Sequence, residues 1–200
     1  MTFNIYTFLK SRPLSWSAIS SFEWDPEQWY RRYILNEKTL DTAAMKFGKE
    51  IGKKIETDPQ FLPHVPRYSK MEHKWDVMFG KIHCIGFADS FCDVTNSKLI
   101  EIKTGKDWSQ KKVDGWGQIT FYCLLNFITN EVRPEDVKIN LVWLPTRETG
   151  DFNVSFIEPI KKTTKIFETK RTMVDVLNFA ARVKDIILEM EQYVKNKRSS

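Results

Sequence analysis

The sequence is poor in cysteine and has no long hydrophobic segment. Its three cysteines are Cys84, Cys92 and Cys123, and none of them belongs to a Cys-x-x-Cys pair, so the sequence supports neither an iron–sulfur cluster nor a structural zinc site. No run approaches the roughly 20 apolar residues of a membrane span. Residues 1–10 also lack the basic start and long apolar core of a signal peptide. We therefore expect a cytoplasmic protein with reduced thiols and no membrane partner.

Internal repeats, low-complexity tracts and recognisable interdomain linkers are also absent from the sequence. Its 200 residues, of which 42% are hydrophobic, are enough for one domain with a substantial core. We expect a single domain over residues 1–200, with a core at about 14–160 and C-terminal helices at about 163–195. The formal net charge of +5 favours an anionic partner, and nucleic acid is the commonest such partner.

A short segment in the middle of the chain combines a carboxylate with a lysine. Residues 98–103 alternate in polarity, which predicts a β-strand with Glu101 and Lys103 on one face. Ile100 and Ile102 then lie on the opposite, buried face. The alternation predicts a site face that is separate from the core face.

A second carboxylate precedes this strand. Residues 81–91 predict a longer strand that contains Asp89, and the polar residues 93–97 predict the connecting turn. With the turn near the middle of that segment, Asp89 lies opposite or diagonal to Glu101 and Lys103, at Cβ separations of roughly 5 to 8 Å. One cation can then contact both carboxylates.

This set of groups suits metal-dependent hydrolysis of a phosphodiester. Magnesium binds oxygen ligands at about 2.1 Å and keeps several waters, so two carboxylates, the backbone carbonyl of Ile102 and a substrate phosphate fit it. Lys103 could orient or help deprotonate the attacking water and offset the charge that builds up on the phosphorane. The bare pattern Glu-x-Lys is common by chance, so its surroundings matter.

An apolar helix is predicted after the second strand, at residues 113–125. Gln118 and Tyr122 are four positions apart on it and share a face. On such a helix, a glutamine one turn before a tyrosine is more simply a satisfied polar pair. Its position just after the strand nevertheless directs both side chains towards the carboxylates.

The order of these motifs resembles the PD-(D/E)XK nuclease superfamily, in particular its RecB-like and lambda-exonuclease-like branch. The resemblance covers roughly residues 14–145, including an N-terminal segment, 14–30, with a Ser-capped helix and Asp25-Pro26. It implies an α/β fold with a restriction-endonuclease-like core, a central mixed β-sheet flanked by helices. It also implies metal ligation by Asp89, Glu101 and the Ile102 carbonyl, catalysis by Lys103, and positioning of substrate or lysine by Gln118 and Tyr122.

The sequence departs from this family at the first core helix, predicted at residues 42–56. Gly52 stands where the branch usually carries a metal-binding histidine. Glu56, one helical turn further on, is our preferred replacement ligand, and Glu50 is the alternative. A plain solvated helix face has the same charge pattern. Members with an iron–sulfur cluster carry a cysteine before the proline, where this chain has Asp25.

The expected function is that of a Mg²⁺- or Mn²⁺-dependent deoxyribonuclease, in particular an exonuclease in recombination or repair, with phage or mobile elements as the setting that the resemblance implies. The alternatives are a structure-specific endonuclease of the same fold and a catalytically weakened module that binds DNA or a recombination partner. The sequence leaves open whether the protein forms a homo-oligomer. Contacts with DNA ends or single strands are predicted for a group of aromatic and basic residues, Lys106, Trp108, Lys111, Lys112 and Trp116.

Overall fold

The structure is a computed structural model, and it describes residues 3–38, 40, 42–63, 65–105, 108–151, 154–159 and 164–199, with the backbone alone for 147–151 and 154–159. The helices are α1 (Ile5–Ser11), α2 (Trp16–Trp24), α3 (Pro26–Trp29), α4 (Ala43–Thr57), α5 (Gln110–Asp114), α6 (Gly117–Asn130) and α7 (Met173–Ser199). The strands are β1 (Lys70–Phe79), β2 (Ile82–Phe91), β3 (Lys98–Gly105), β4 (Lys138–Asp151), β5 (Val154–Pro159) and β6 (Lys165–Thr169). A π-helical turn, Tyr30–Ile34, follows α3, and a 3-10 turn, Pro134–Asp136, precedes β4.

The strands form a mixed sheet. β1, β2 and β3 are antiparallel neighbours, and β3 pairs in parallel with the first part of β4 after a connection through α5 and α6. β6 pairs antiparallel with that same part of β4, so the body of the sheet has the order β1-β2-β3-β4-β6. The far end of β4 pairs with β5. This arrangement is the α/β fold with a central mixed sheet that the sequence predicted.

Helices cover both faces of β3. Leu99 belongs to the main core, which includes residues of α1, α2, α6 and α7. Its neighbour Ile100 belongs to a second core with Ile51 and Ile55 of α4. Successive strand residues point to opposite faces, so α4 and α6 lie on opposite sides of the sheet. The alternation in β3 therefore separates two buried faces, whereas we expected one core face and one more open site face.

β1 was not predicted from the sequence. It forms a hairpin with β2 in which Phe79 pairs with Ile82, leaving Gly80 and Lys81 as a two-residue turn. Gly80 has a φ of +59°, which glycine adopts without steric cost. The turn fixes the register of the whole hairpin.

The prediction of helices over residues 163–195 was wrong at its start. Lys165–Thr169 is strand β6, and a single helix, α7, begins only at Met173. A capping box starts this helix, because Asp175 accepts a hydrogen bond from the backbone N–H of Thr172 at 2.7 Å, and the Thr172 hydroxyl accepts one from the N–H of Asp175 at 3.1 Å. The residues before it instead pair with the otherwise open edge of β4. Within the described ranges, no helix combines the length and the apolar character needed to cross a bilayer.

Gly86 allows α6 to approach β2 closely. A Cβ atom at this position would lie 2.6 Å from Leu125 Cδ1 and 3.3 Å from the ring of Tyr122. Because both side chains are buried in the main core, we expect Gly86→Ala to lower the free energy of unfolding by about 1–3 kcal/mol in chemical denaturation.

Gly52→Ala is the matched control for this substitution. A Cβ atom at Gly52 would have nothing within 4 Å, so the better helix propensity of alanine should raise the unfolding free energy by about 0.5–1 kcal/mol. A Gly86→Ala protein as stable as the wild type would contradict the close packing of α6 on β2.

Candidate active site

Asp89 and Glu101 face each other across β2 and β3. The backbone pairs Ser90 with Ile100, so the next position places Asp89 opposite Glu101, in the register that the sequence predicted. Asp89 Oδ2 accepts a hydrogen bond of 2.5 Å from the backbone N–H of Ile102. The aspartate is thus tied to β3 at the point where the backbone ladder between the two strands ends.

Glu101 is the most buried member of the site, with 2% of its surface exposed. Its Oε1 accepts hydrogen bonds from Gln118 Nε2 and from Lys103 Nζ, both at 2.8 Å. Its Oε2 is buried and has no hydrogen-bond partner among the described residues. Leaving a buried carboxylate oxygen unpaired costs free energy, so this atom is the natural position for an additional ligand.

Gln118 and Tyr122 hold this carboxylate in place. Gln118 Nε2 also contacts the Tyr122 hydroxyl group, and that hydroxyl donates to the carbonyl oxygen of Phe87. The pair therefore links β2 to β3 through α6. We expected it to position substrate or lysine, but the group that it contacts in this structure is Glu101. A role of the pair towards substrate stays a prediction.

The electrostatic balance of the site favours a further positive charge. Burial, reinforced by the charge of Asp89, raises the pKa of Glu101 to about 8, and burial also raises the pKa of Asp89. Burial alone would lower the pKa of Lys103, but the charges of Glu101 and Asp89 outweigh it and the pKa is raised. The carboxyl group of Glu101, buried next to the partly exposed Asp89, therefore keeps its proton up to about pH 8. A divalent cation is the kind of ligand that would replace this proton and balance both carboxylates.

A cleft of about 660 Å³ opens beside these residues, between α4 and the strands. Asp89, Ile102 and Lys103 line it on the strand side. On the helix side it is lined by Gly52, where a Cβ would meet nothing within 4 Å. The position at which the family resemblance leads us to expect a histidine is therefore open space.

The two candidate acidic ligands of α4 differ in position. Glu56 lines the cleft, whereas Glu50 is not among the lining residues and pairs with Lys54 at 3.2 Å on the surface. The structure contains no group of three or more His, Cys, Asp or Glu side chains close enough to hold a metal within its described residues. Ligation by Glu56 stays a prediction.

Glu72 is a cleft residue that sequence reasoning missed. Met71 pairs with Ser90 and His73 pairs with Ala88, so Glu72 lies opposite Asp89, and it lines the same cleft. Its φ of +49° is uncommon for a residue other than glycine. The Gly80-Lys81 turn was the available signal, since a two-residue hairpin loop at that point aligns Glu72 with Asp89.

The aromatic and basic residues predicted to contact DNA are partly assembled next to the site. Trp108 packs edge-on against Trp116, with ring centroids 4.9 Å apart. Lys112 Nζ lies 4.5 Å from the centroid of Trp108, and Lys111 is exposed in α5. Lys106 lies outside the described residues. Contact of this group with DNA stays a prediction.

Comparisons with known proteins identify the fold. No protein-family model and no curated protein matches the sequence. Among solved structures, the alkaline exonuclease LHK-Exo from Laribacter hongkongensis superposes with a TM-score of 0.55 at 13% identity, over 96% of this chain and 97% of the exonuclease. LHK-Exo in complex with dAMP gives 0.52 at 13% identity, over 98% and 96% of the two chains. The chain has a restriction-endonuclease-like fold.

The raised pKa of Glu101 predicts how stability depends on pH. The ordinary value is 4.5, and the value in the folded protein is about 8, so the folded state binds a proton more tightly than the unfolded state. The stability that this proton contributes is present below about pH 4.5 and is lost as the pH rises through 8. A glutamine at this position has no proton to lose in this pH range, so the stability of Glu101→Gln should not fall in this way. The unfolding free energy of Glu101→Gln minus that of the wild type should therefore rise by more than about 1 kcal/mol between pH 4.5 and 9.

Chemical denaturation of both proteins in the presence of a chelator measures this difference. A stability difference that does not change with pH would show that Glu101 is ionised in the folded protein over the whole range.

Proposed function

We propose that this protein is a metal-dependent nuclease that hydrolyses phosphodiester bonds in DNA. The observation that carries the proposal is the buried Oε2 of Glu101, at the strand position opposite Asp89, which has no hydrogen-bond partner in the described ranges. The carboxyl groups of Asp89 and Glu101 supply the oxygen ligands that magnesium and manganese prefer, and Lys103 Nζ forms an ion pair with Glu101 at 2.8 Å.

Asp89, Glu101 and the backbone carbonyl of Ile102 would hold the cation. When bound, Mg²⁺ or Mn²⁺ supplies a Lewis acid that polarises the phosphate. The remaining chemistry belongs to the side chains. Lys103, held beside Glu101, can donate a hydrogen bond to a phosphate oxygen and offset the negative charge that develops in the transition state. Gln118 Nε2 donates to Oε1 of Glu101, while Oε2 has no hydrogen-bond partner within the described part of the chain.

DNA is the proposed substrate for three reasons. The chain has a formal net charge of +5, and Lys49 and Lys53 line the cleft beside Lys103, where they could contact phosphates. The fold is shared with an exonuclease that was solved with a deoxynucleotide. That likeness in fold is also the basis for preferring exonuclease over endonuclease action.

Asp89→Asn and Lys103→Ala should each lower cleavage of an end-labelled linear duplex by more than about 100-fold, because each removes a charge that acts on the reacting phosphate. Asp93→Asn is the matched control, since Asp93 is an exposed carboxylate of the β2–β3 turn that bonds to Ser69, and it should retain activity. If purified Asp89→Asn cleaves DNA at the wild-type rate, the assignment of the active site is wrong.

The same assay separates the modes of action. Metal-dependent digestion of linear DNA without cutting of covalently closed circles supports an exonuclease. Cutting of the circles would support the endonuclease, and no digestion of either substrate with Mg²⁺ or Mn²⁺ would support a binding module.

The third acidic ligand is proposed to be Glu56. Hard cations bind more tightly as charged oxygen ligands are added, so Glu56→Gln should raise the Mg²⁺ concentration needed for half-maximal cleavage by about tenfold, in line with the effect of a lost ligand or supporting group. Glu50→Gln, outside the cleft, is the control and should leave the metal requirement unchanged.

Glu72→Gln tests the other cleft carboxylate in the same titration. If the Mg²⁺ requirement rises in Glu72→Gln and is unchanged in Glu56→Gln, the third ligand is Glu72 of β1. A shift confined to Glu50→Gln would contradict the assignment to the cleft altogether.

A further inference from the structure

The ammonium group of Lys103 lies between a carboxylate and an aromatic ring. Its Nζ is 2.8 Å from Glu101 Oε1 and 4.9 Å from the centroid of the Trp116 ring. A lysine side chain has a flexible four-carbon stem, so one ion pair leaves it free to take several conformations. The face of an indole ring attracts a cation more strongly than other aromatic rings do. The second contact therefore restricts where the ammonium group can lie.

Trp116 is itself held by a buried arginine from a distant part of the chain. Arg171 has 3% of its surface exposed. Its Nη2 donates to the carbonyl oxygens of Val113 at 3.0 Å and Trp116 at 3.2 Å, and its Nε donates to Thr120 Oγ1 at 2.8 Å. The planar guanidinium group thus joins the segment before α6 to the first turn of that helix.

The other side of this segment is packed as well. A Cβ atom at Gly117 would lie 2.4 Å from the ring of Trp16, so α2 sits directly against the start of α6. Trp108 packs on the edge of Trp116. Arg171 therefore holds the backbone of Trp116, Trp16 packs against the next residue, and Trp108 packs on the ring. Such contacts are what a rigid support for another side chain requires.

We propose that Trp116 is a positioning residue for Lys103. Its ring face holds the ammonium group beside Glu101 and Asp89, and Arg171 holds the backbone that carries the ring. The inference rests on the proposed nuclease activity and extends it to a residue outside the acidic and basic motif. The role needs an aromatic face, so phenylalanine should serve in place of tryptophan and leucine should not.

Steady-state kinetics on a short oligonucleotide, together with Mn²⁺ titration, test the proposal. Trp116→Leu should lower kcat by about 10- to 100-fold, because a small displacement of a reacting group has effects of this size. KM and the Mn²⁺ affinity should stay within about threefold of wild type, since the loss arises in the transition state. Trp116→Phe should restore kcat to within about fivefold of wild type.

Phe79→Leu is the matched control. Lys184 Nζ lies 5.4 Å from the centroid of the Phe79 ring, so this substitution also removes a cation–π contact, but at the β1–β2 hairpin and outside the cleft. It should leave kcat unchanged. An unchanged kcat in Trp116→Leu, an equal loss in Trp116→Phe, or a loss confined to KM would each overturn the proposal, the last because it would make Trp116 a substrate contact.

A double-mutant cycle keeps this inference separable from the nuclease activity. Unfolding free energies are measured for Trp116→Leu, Lys103→Met and the double variant in the absence of DNA and metal. Non-additive changes are expected if the ring and the ammonium group interact, and additive changes would overturn the contact. A wild-type protein that cleaves nothing, with a non-additive cycle, would refute the proposed function and leave the Trp116–Lys103 contact established.

Discussion

The burial of the Glu101 carboxyl group next to Asp89 is the constraint that organises this part of the molecule. Asp89 and Glu101 face each other on adjacent strands, and the ammonium group of Lys103 forms an ion pair with Glu101. Burial and a neighbouring carboxylate both disfavour the charged form of Glu101. The surrounding residues reduce that cost through hydrogen bonds from the Ile102 backbone and from Gln118. Oε2 of Glu101 has no hydrogen-bond partner among the residues that the structure describes, and a divalent cation would satisfy it.

The rest of the fold keeps these groups in place. α6 can bring Gln118 and Tyr122 to the strands because Gly86 has no side chain to hold the helix away. α4 covers the opposite face of β3 and forms the other wall of the cleft. The C-terminal part of the chain takes part through Arg171, whose hydrogen bonds fix the segment that ends in Trp116. Residues from almost the whole chain thus support one small group of charges.

Local sequence patterns were sufficient for the centre of the site. A short polar turn between two strands determines which residues face each other, so the Asp89–Glu101 pairing could be predicted, and the spacing of Gln118 and Tyr122 placed them on one helix face. β1 and Glu72 were missed because Trp75 is the one fully buried residue of that strand, and its sequence shows only in part the alternation of apolar and polar residues that marks a half-buried strand. β6 was missed because a five-residue strand is stable only against its partner, β4, and sequence pattern carries little information about such a distant pairing.

Contacts between side chains that come together only in the folded protein could not be predicted from local sequence patterns, for the same reason. Glu50 and Glu56 lie on one short helix, and only the packing of α4 on β3 determines that Glu56 reaches the cleft and Glu50 stays on the surface. The contact between Lys103 and Trp116 depends on how Arg171 and Trp16 hold the start of α6. Neither arrangement follows from residue spacing.

The proposed nuclease activity requires that Asp89 and Glu101 bind a divalent cation. The most direct measurement is anomalous X-ray diffraction from crystals of the wild-type protein soaked with Mn²⁺. We expect a single strong anomalous peak within about 2.5 Å of Glu101 Oε2 and an Asp89 carboxylate oxygen, near the Ile102 carbonyl. No peak there at saturating Mn²⁺, with Glu101 Oε2 bonded instead to a protein group, would contradict this expectation.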